Sequence, residues 1–356
     1  GGVSLFVVVF AVYPFAAELF RQSNIPKRLI PGTIALGAFT FTMDALPGTP
    51  QIQNIIPASF FGTNAWAAPW LGIVGGVFIL IVGLSYLEWR RRAALKAGEG
   101  YAGGDALVNE PASFTGGQLA NPLVALLPLV LVGVSNKLFT SWIPGVYGDS
   151  HSFDPAVIGS TPPVVQEVSK FAAIWAVEGA LLVGIACVIA FAWKPVMASF
   201  AEGTKSAIGG AMLAAMNTAS EYGFGAVIAA LPGFLVVANA LSAIPNPLVN
   251  EAVTVTALAG ITGSASGGMS IALAAMAETF IANANAAGIP MEVLHRVAAM
   301  ASGGMDTLPH NGAVITLLAV TGLTHRQAYK DVFAITLIKT AAVFVVIAAY
   351  YMAGIV

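Results

Sequence analysis

Two segments of the chain put an acid, a proline and a glycine into the middle of helix-length apolar sequence. They are Met43-Asp44-Ala45-Leu46-Pro47-Gly48-Thr49-Pro50 and Met305-Asp306-Thr307-Leu308-Pro309-His310-Asn311-Gly312. A charge at the centre of a bilayer costs at least ~2.5–3.5 kcal/mol on insertion scales, so Asp44 and Asp306 need a reason to be there. One reading is proton carriage, since a carboxyl held out of water can load and release a proton. The other is that each acid caps the half-helix after its break. His310 is a further candidate for proton coupling, or hydrogen-bonds backbone. Glu221 and Glu178 are further coupling candidates. Lys339 stands inside the last apolar run, where it either snorkels or pairs with an acid.

Broken helices and hairpin tips can attract an anion without a buried cation, through free N–H groups and helix N-terminal dipoles. The residue types around the breaks suit a bound polar ligand. Glycine lets backbone approach closely, and serine, threonine and asparagine supply hydrogen bonds. Gly1, Gly2 and Ser4 are expected in one tip, and Ser264, Ser266, Gly267, Gly268 and Ser270 in the other. Gly48, Thr49, Gln51, Asn54, Thr307, His310, Asn311 and Gly312 would face them from the broken helices. For any single serine or glycine here, close helix packing is the competing explanation.

The elements that must hold these residues are membrane helices. The 356 residues are 57% hydrophobic and 9% charged, against about 25% charged in soluble domains. Mean hydropathy is +0.83. With 38 glycines and 20 prolines, the composition suits helices that pack closely and break on purpose. Net charge is -2, which does not point to nucleic acid. The single cysteine, Cys187, cannot form an internal disulfide and reads as a small buried side chain. Gly1-Gly2 opens directly onto apolar sequence with no charged n-region, so it is read as a fragment lacking earlier membrane segments rather than a signal peptide.

Apolar runs of membrane length lie at about 3–20, 29–56, 70–89, 120–139, 171–193, 222–243 and 331–354. Residues 250–288 are divided by Gly263-Ser264-Ala265-Ser266-Gly267-Gly268, leaving two arms too short to span, as in a re-entrant hairpin. Residues 293–320 are broken at 303–312, and residues 197–216 are expected along the interface. Orientation follows the basic residues. Arg21, Lys27, Arg28, Arg90, Arg91, Arg92, Lys96, Lys194, Lys205, Arg326 and Lys330, 11 of the 15, are cytoplasmic in one threading. Lys137, Lys170 and Arg296 then fall outside, and the C-terminus is periplasmic.

The two breaks belong to longer matching units. Gly1-Gly2-Val3-Ser4 matches Gly267-Gly268-Met269-Ser270, and Ile25-Pro26 matches Ile289-Pro290. The charge-based threading has the first copy enter its broken helix from the cytoplasm and the second from the periplasm. This makes them inverted repeats, a common design for secondary transporters. The expected fold is all-α and polytopic, with inverted repeats, re-entrant hairpins and broken transmembrane helices. Residues 1–92 form the remainder of the first repeat, 93–118 a cytoplasmic loop and 119–356 the second repeat.

Four segments carry a resemblance to a known family: Gly2–Phe10, Thr42–Asn54, Asn217–Gly225 and Ser302–Gly312. Together they resemble the gluconate:proton symporter (GntP) family of the ion transporter superfamily, over essentially the whole chain. The Ser302–Gly312 segment is more similar to the branch that includes hydroxybutyrate permeases than to gluconate permeases. The resemblance implies proton-coupled symport of a small hydroxy-carboxylate, an inner-membrane location in a bacterium, and a homodimer. Sodium coupling is the alternative, because unwound carbonyls bind sodium too. A membrane enzyme would want a nucleophile–base pair or a metal cluster. With four histidines and no metal-ligand spacing, neither enzyme nor cofactor is expected. A passive channel is the remaining class.

Overall fold

The computed structural model describes residues 5–49, 51–103, 107–111, 121–148, 150–154, 165–233, 236, 240, 241 and 243–356. Gly1, Gly2 and Ser4 lie outside these residues.

Helix α1 (Leu5–Gln22) turns at Ile25-Pro26 into a 3-10 turn at Lys27–Leu29, which runs on into α2 (Ile30–Ala38). A single further turn, α3 (Phe41–Asp44), ends at the first acid. After the break come a 3-10 turn at Ile52–Asn54, the short α4 (Ile56–Phe61) and the long α5 (Pro69–Lys96). Helices α6 (Pro122–Tyr147) and α7 (Val168–Phe191) pack as an antiparallel pair through Phe139, Ile143, Val168, Ala172 and Ala176. Between them β1 (Ser150–Ser152) and β2 (Val165–Glu167) pair antiparallel, with His151 opposite Gln166. Helices α8 (Trp193–Ala198) and α9 (Phe200–Ala229) follow.

The second broken unit comprises α10 (Pro247–Thr262), α11 (Ala265–Ala286), α12 (Met291–Ser302), α13 (Gly312–Thr321) and α14 (His325–Ala353). Its helix ends are sequence-encoded. Asn246, Ser264 and Asn311 cap α10, α11 and α13 by accepting from backbone N–H groups one turn on. Gly263 closes α10 at φ +66, a conformation that disfavours side chains.

The two units are copies. Both contain a helix of hairpin type (α1, α11), an Ile-Pro turn, a broken helix (α2–α4, α12–α13) and a long span (α5, α14). The equivalent spans run antiparallel. Near the start of α5, Gly75 faces Val346 near the end of α14, while Arg90 near the end of α5 binds Asp331 near the start of α14. Their second half-helices are exchanged. Leu317 and Leu318 of α13 join a core with Val9, Ala17, Ile30 and Ile34 of α1 and α2. Phe61 of α4 joins one with Leu273, Phe280, Leu294 and Val297 of α11 and α12. The inversion inferred from basic residues is therefore present in the packing.

Among the described residues, four helices are long and apolar enough to cross a membrane: Pro69–Lys96, Leu123–Tyr147, Ala265–Ala286 and His325–Ala353. Their outer faces expose Trp70, Ile81, Leu84, Leu123, Leu129, Leu138 and Trp142. A soluble monomer rarely carries so continuous an apolar surface, whereas lipid is an equal partner for it. The chain is an all-α polytopic membrane protein.

Three expectations change. The second hairpin arm, α11, is of membrane length at 22 residues, because Gly267 and Gly268 do not break it. Ser264 restarts the helix before them, and Gly268 lets it pack on α10. The stretches 197–216 and 222–243 are not an interfacial segment followed by a span. The single 30-residue α9 covers most of the first and the opening of the second, 222–229, since no proline lies between 200 and 229. Arg296, assigned to the outer side from the charge pattern, is fully buried, and its place is given below.

Residues 97–103 and 107–111 fold back over the ends of α1, α2 and α13. Arg28 binds Glu99 at 2.5 and 2.6 Å, Lys27 binds Glu110 at 2.6 Å, and Asn109 Nδ2 donates to Ala319 O at 2.8 Å. Burial alone would raise the Glu110 carboxyl, but hydrogen bonds from Lys27, Arg21 and Tyr101 outweigh it and hold the group below its ordinary range. A carboxyl lowered by folding stabilises the fold above its unfolded value and loses that contribution as pH falls through the folded one. Hydrogen exchange of residues 99–111, corrected for intrinsic rates, is therefore expected to rise below about pH 4. Unchanged protection at acid pH would disprove this anchoring role.

Candidate functional site

The two breaks meet. A Cβ placed on Gly303, at the start of the second break, would lie 2.0 Å from Asp44 Oδ2, so only glycine leaves room for the acid of the first. Asp44 and Asp306 are each 1% exposed and lie within electrostatic range of one another. Neither caps the following half-helix. Asp44 ends α3, and Asn311 rather than Asp306 caps α13.

Both acids are matched by cations of the second repeat. Lys339, halfway along α14 and 2% exposed, donates to Asp306 Oδ1 at 2.5 Å and to Phe39 O at 3.0 Å. It also lies within electrostatic range of Asp44, whose Oδ1 has no hydrogen-bond partner among the described residues. Lys339 thus ties the end of α2 to the second break.

Arg296 on α12 is fully buried and ties the first break. Its Nη1 donates to Asp44 O at 2.9 Å and to Asn54 Oδ1 at 3.0 Å. Its Nη2 and Nε donate to Ala67 O at 2.7 and 3.2 Å. Helix α5 closes over this region at Gly72, where a Cβ would lie 2.2 Å from Ala45 O. Two carboxylates and two cations, all buried, therefore sit where the broken helices cross. Sequence reading missed Arg296 because it fell near the assigned edge of a span. The available signal was a basic residue within the periodic apolar pattern of α12, a position that calls for a partner.

The other expected site residues divide into two groups. Some are consumed by the fold. Asn54 is fully buried and donates to Thr49 O at 3.0 Å and Ala65 O at 2.8 Å while accepting from Arg296. Asn311 Nδ2 donates to Gly263 O at 2.7 Å, joining the hairpin tip to the second break. Ser264 Oγ accepts from Gly267 N at 3.1 Å. Gly268 is a packing residue, since a Cβ there would lie 2.3 Å from Ala259 Cα. Gly48 holds φ +72 with Trp66 packed against it, and Thr49 Oγ1 donates to Thr42 O at 2.7 Å.

Others keep capacity for a ligand. Ser266 is buried at the tip, and buried Ser270 has no partner for its hydroxyl among the described residues. Thr307 and Thr336 share one hydrogen bond at 2.6 Å beside the Asp306–Lys339 pair. His310 is exposed next to Gly263, and Gly312 opens α13. A cleft of about 380 Å³ between α1 and α2 reaches Thr42 and Gln51 at the first break. Glu178 is exposed on α7, and Glu221 belongs to α9, so neither is on an element that carries a break. Sequence reading passed over Glu251 on α10, which is fully buried with both carboxylate oxygens unpartnered among the described residues.

No protein-family model matches the chain, and no solved structure matches it. The chain is 60% identical over 363 aligned positions to the uncharacterized transporter YxjC of Bacillus subtilis (strain 168), a match that spans 100% of this chain and 76% of that protein. This chain, with its crossed pair of broken helices, belongs to the same transporter family as YxjC.

Proposed function

We propose that the protein is a secondary active transporter of the GntP type that carries a small hydroxy-carboxylate, of the gluconate or 3-hydroxybutyrate kind, together with protons across the bacterial inner membrane. The observation that carries this reading is the balanced charge where the breaks cross. Asp44 and Asp306 face Arg296 and Lys339, all buried. An electroneutral site in low dielectric resists an anion arriving alone, because the added charge would be uncompensated. An anion arriving with a proton leaves the charge balance unchanged. Two carboxylates at the crossing offer places for that proton, and the hydroxyls of Thr307, Thr336, Ser266 and Ser270 suit a hydroxylated anion.

Transport follows from the repeat. The hairpin and broken helices of the second unit, with their counterparts in the first, move as a rigid body against the spans, so that the crossing is exposed to each side in turn. The pH gradient supplies the force, since an anion carried with one proton moves no net charge and each unit of pH difference is worth about 1.4 kcal/mol.

The test is uptake of radiolabelled gluconate and 3-hydroxybutyrate into proteoliposomes containing the full-length protein. An inward proton gradient without sodium is expected to drive at least tenfold accumulation of one of them. Accumulation that requires sodium and ignores the pH gradient would transfer the reading to sodium coupling. Equilibration without accumulation under either gradient would refute symport.

A further inference from the structure

We propose that Lys339 is the group that binds the substrate's carboxylate, and that Asp306 releases it by taking up the co-transported proton. The inference rests on the anion-transport reading above and names the wiring of that site.

Of the two buried cations, only Lys339 is free to change partner. Arg296 spends four hydrogen bonds on Asp44 O, Asn54 Oδ1 and Ala67 O, and removing it would open the first break. Lys339 carries three N–H donors and uses two of them, on Asp306 Oδ1 at 2.5 Å and Phe39 O at 3.0 Å, among the described residues. It stands halfway along a membrane-length helix, where an unpaired ammonium is costly. It must therefore always hold an anion, either Asp306 or a substitute.

The exchange balances. A proton forms an O–H bond on the Asp306 carboxylate, and the ion pair to Lys339 opens. The ammonium keeps all its protons and hydrogen-bonds the incoming carboxylate. No covalent bond to substrate forms, and the crossing stays neutral. Thr336 lies one turn before Lys339 on α14, and its hydroxyl meets that of Thr307, the residue after Asp306. A substrate hydroxyl near the carboxylate can enter between these two, which selects hydroxy acids over plain ones.

The titratable groups around the pair are few. Asp44 faces it from α3, and Arg296 on α12 lies within electrostatic range of Asp44. On α14, Tyr329 donates to Thr307 O at 3.1 Å and His325 meets Pro309 O at 2.9 Å. His310, in the same break, is exposed. Helix α10 packs on the break through Gly260 against Met305, and its Glu251 has no charged neighbour among the described residues.

The experiment measures binding of gluconate and 3-hydroxybutyrate to the purified full-length protein by isothermal titration across a pH series. In the wild type, affinity for the bound acid is expected to fall about tenfold per pH unit on the alkaline side, as one linked proton requires. In Asp306→Asn, where Lys339 is permanently released, binding is expected to persist with no pH slope, and pH-driven accumulation to vanish. In Asp306→Asn/Lys339→Gln, which removes both charges together, binding is expected to drop at least tenfold below that of Asp306→Asn. Should Asp306→Asn not fold, the neutral double variant is compared with the wild type at acid pH, where the same loss is required.

A wild-type pH slope in Asp306→Asn, or a double variant that binds like its parent, overturns the inference while leaving anion transport standing. A wild type that neither binds nor accumulates either acid overturns both.

Discussion

Arg296→Met is expected to abolish transport and lower the melting temperature by roughly 5–10 °C. The side chain is fully buried and donates to three acceptors that belong to the first repeat. Truncating it leaves Asp44 O, Ala67 O and Asn54 Oδ1 without that donor, at about 1–3 kcal/mol for each buried acceptor left unsatisfied. It also removes one of the two cations within electrostatic range of the Asp44 carboxylate. Removing one partner of a buried charged set costs about 3–5 kcal/mol, which corresponds to a melting shift of the size given. Arg296→Lys discriminates the cause. Lysine restores the charge but cannot span Asp44 O, Asn54 Oδ1 and Ala67 O at once, because those contacts need a planar fork. Recovery of transport in Arg296→Lys would show that charge alone matters. Thermal melting in detergent and uptake in proteoliposomes read the two effects separately.

Gly268→Ala is expected to separate the hairpin arms and eliminate transport. An added Cβ would lie 2.3 Å from both Ala259 Cα and N and 2.6 Å from Leu258 C. All three are backbone atoms of α10, so no rotamer change relieves the clash, and the arms must part. In an unconstrained helix the same substitution is favourable by about 0.4–1 kcal/mol. Gly203 on α9 supplies the comparison, since a Cβ there meets nothing within 4 Å. Gly203→Ala is therefore expected to leave uptake unchanged and to raise the melting temperature slightly. Equal behaviour of the two variants would refute the packing role of Gly268. Both proteins should still insert, because insertion depends on hydropathy and not on the fit between arms.

The two predictions act on opposite sides of one construction. Arg296 holds the first break to the second repeat through polar groups, and Gly268 holds the second hairpin closed through contact. Lys339 performs the reciprocal tie, joining Asp306 to the end of α2 at Phe39 O. The first break is held by Arg296 of the other copy, and the second is joined through its own Lys339 to the first copy at Phe39 O, so the crossing forms only when both copies are folded.

Much of this was legible in the amino-acid sequence, because it is written in local patterns. Long apolar runs dictate spans, since a bilayer offers no hydrogen bonds and the backbone must satisfy itself. The recurrence of Met-Asp-x-Leu-Pro after Ile-Pro marks two copies and places their breaks. Ser264 and Asn311 announce helix starts by residue type alone. What stayed hidden depends on distance in space. The sequence alone did not show that Gly303 makes room for Asp44, that Asn54 and Asn311 are used up inside the fold, or that Arg296, assigned to the outer side, is fully buried. Sequence periodicity ranks residues by face and polarity, but it cannot say which partner arrives on that face from more than 200 positions away. Only tertiary structure decides which polar residues remain free for a ligand, because hydrogen-bonding capacity is finite and the fold draws on it first.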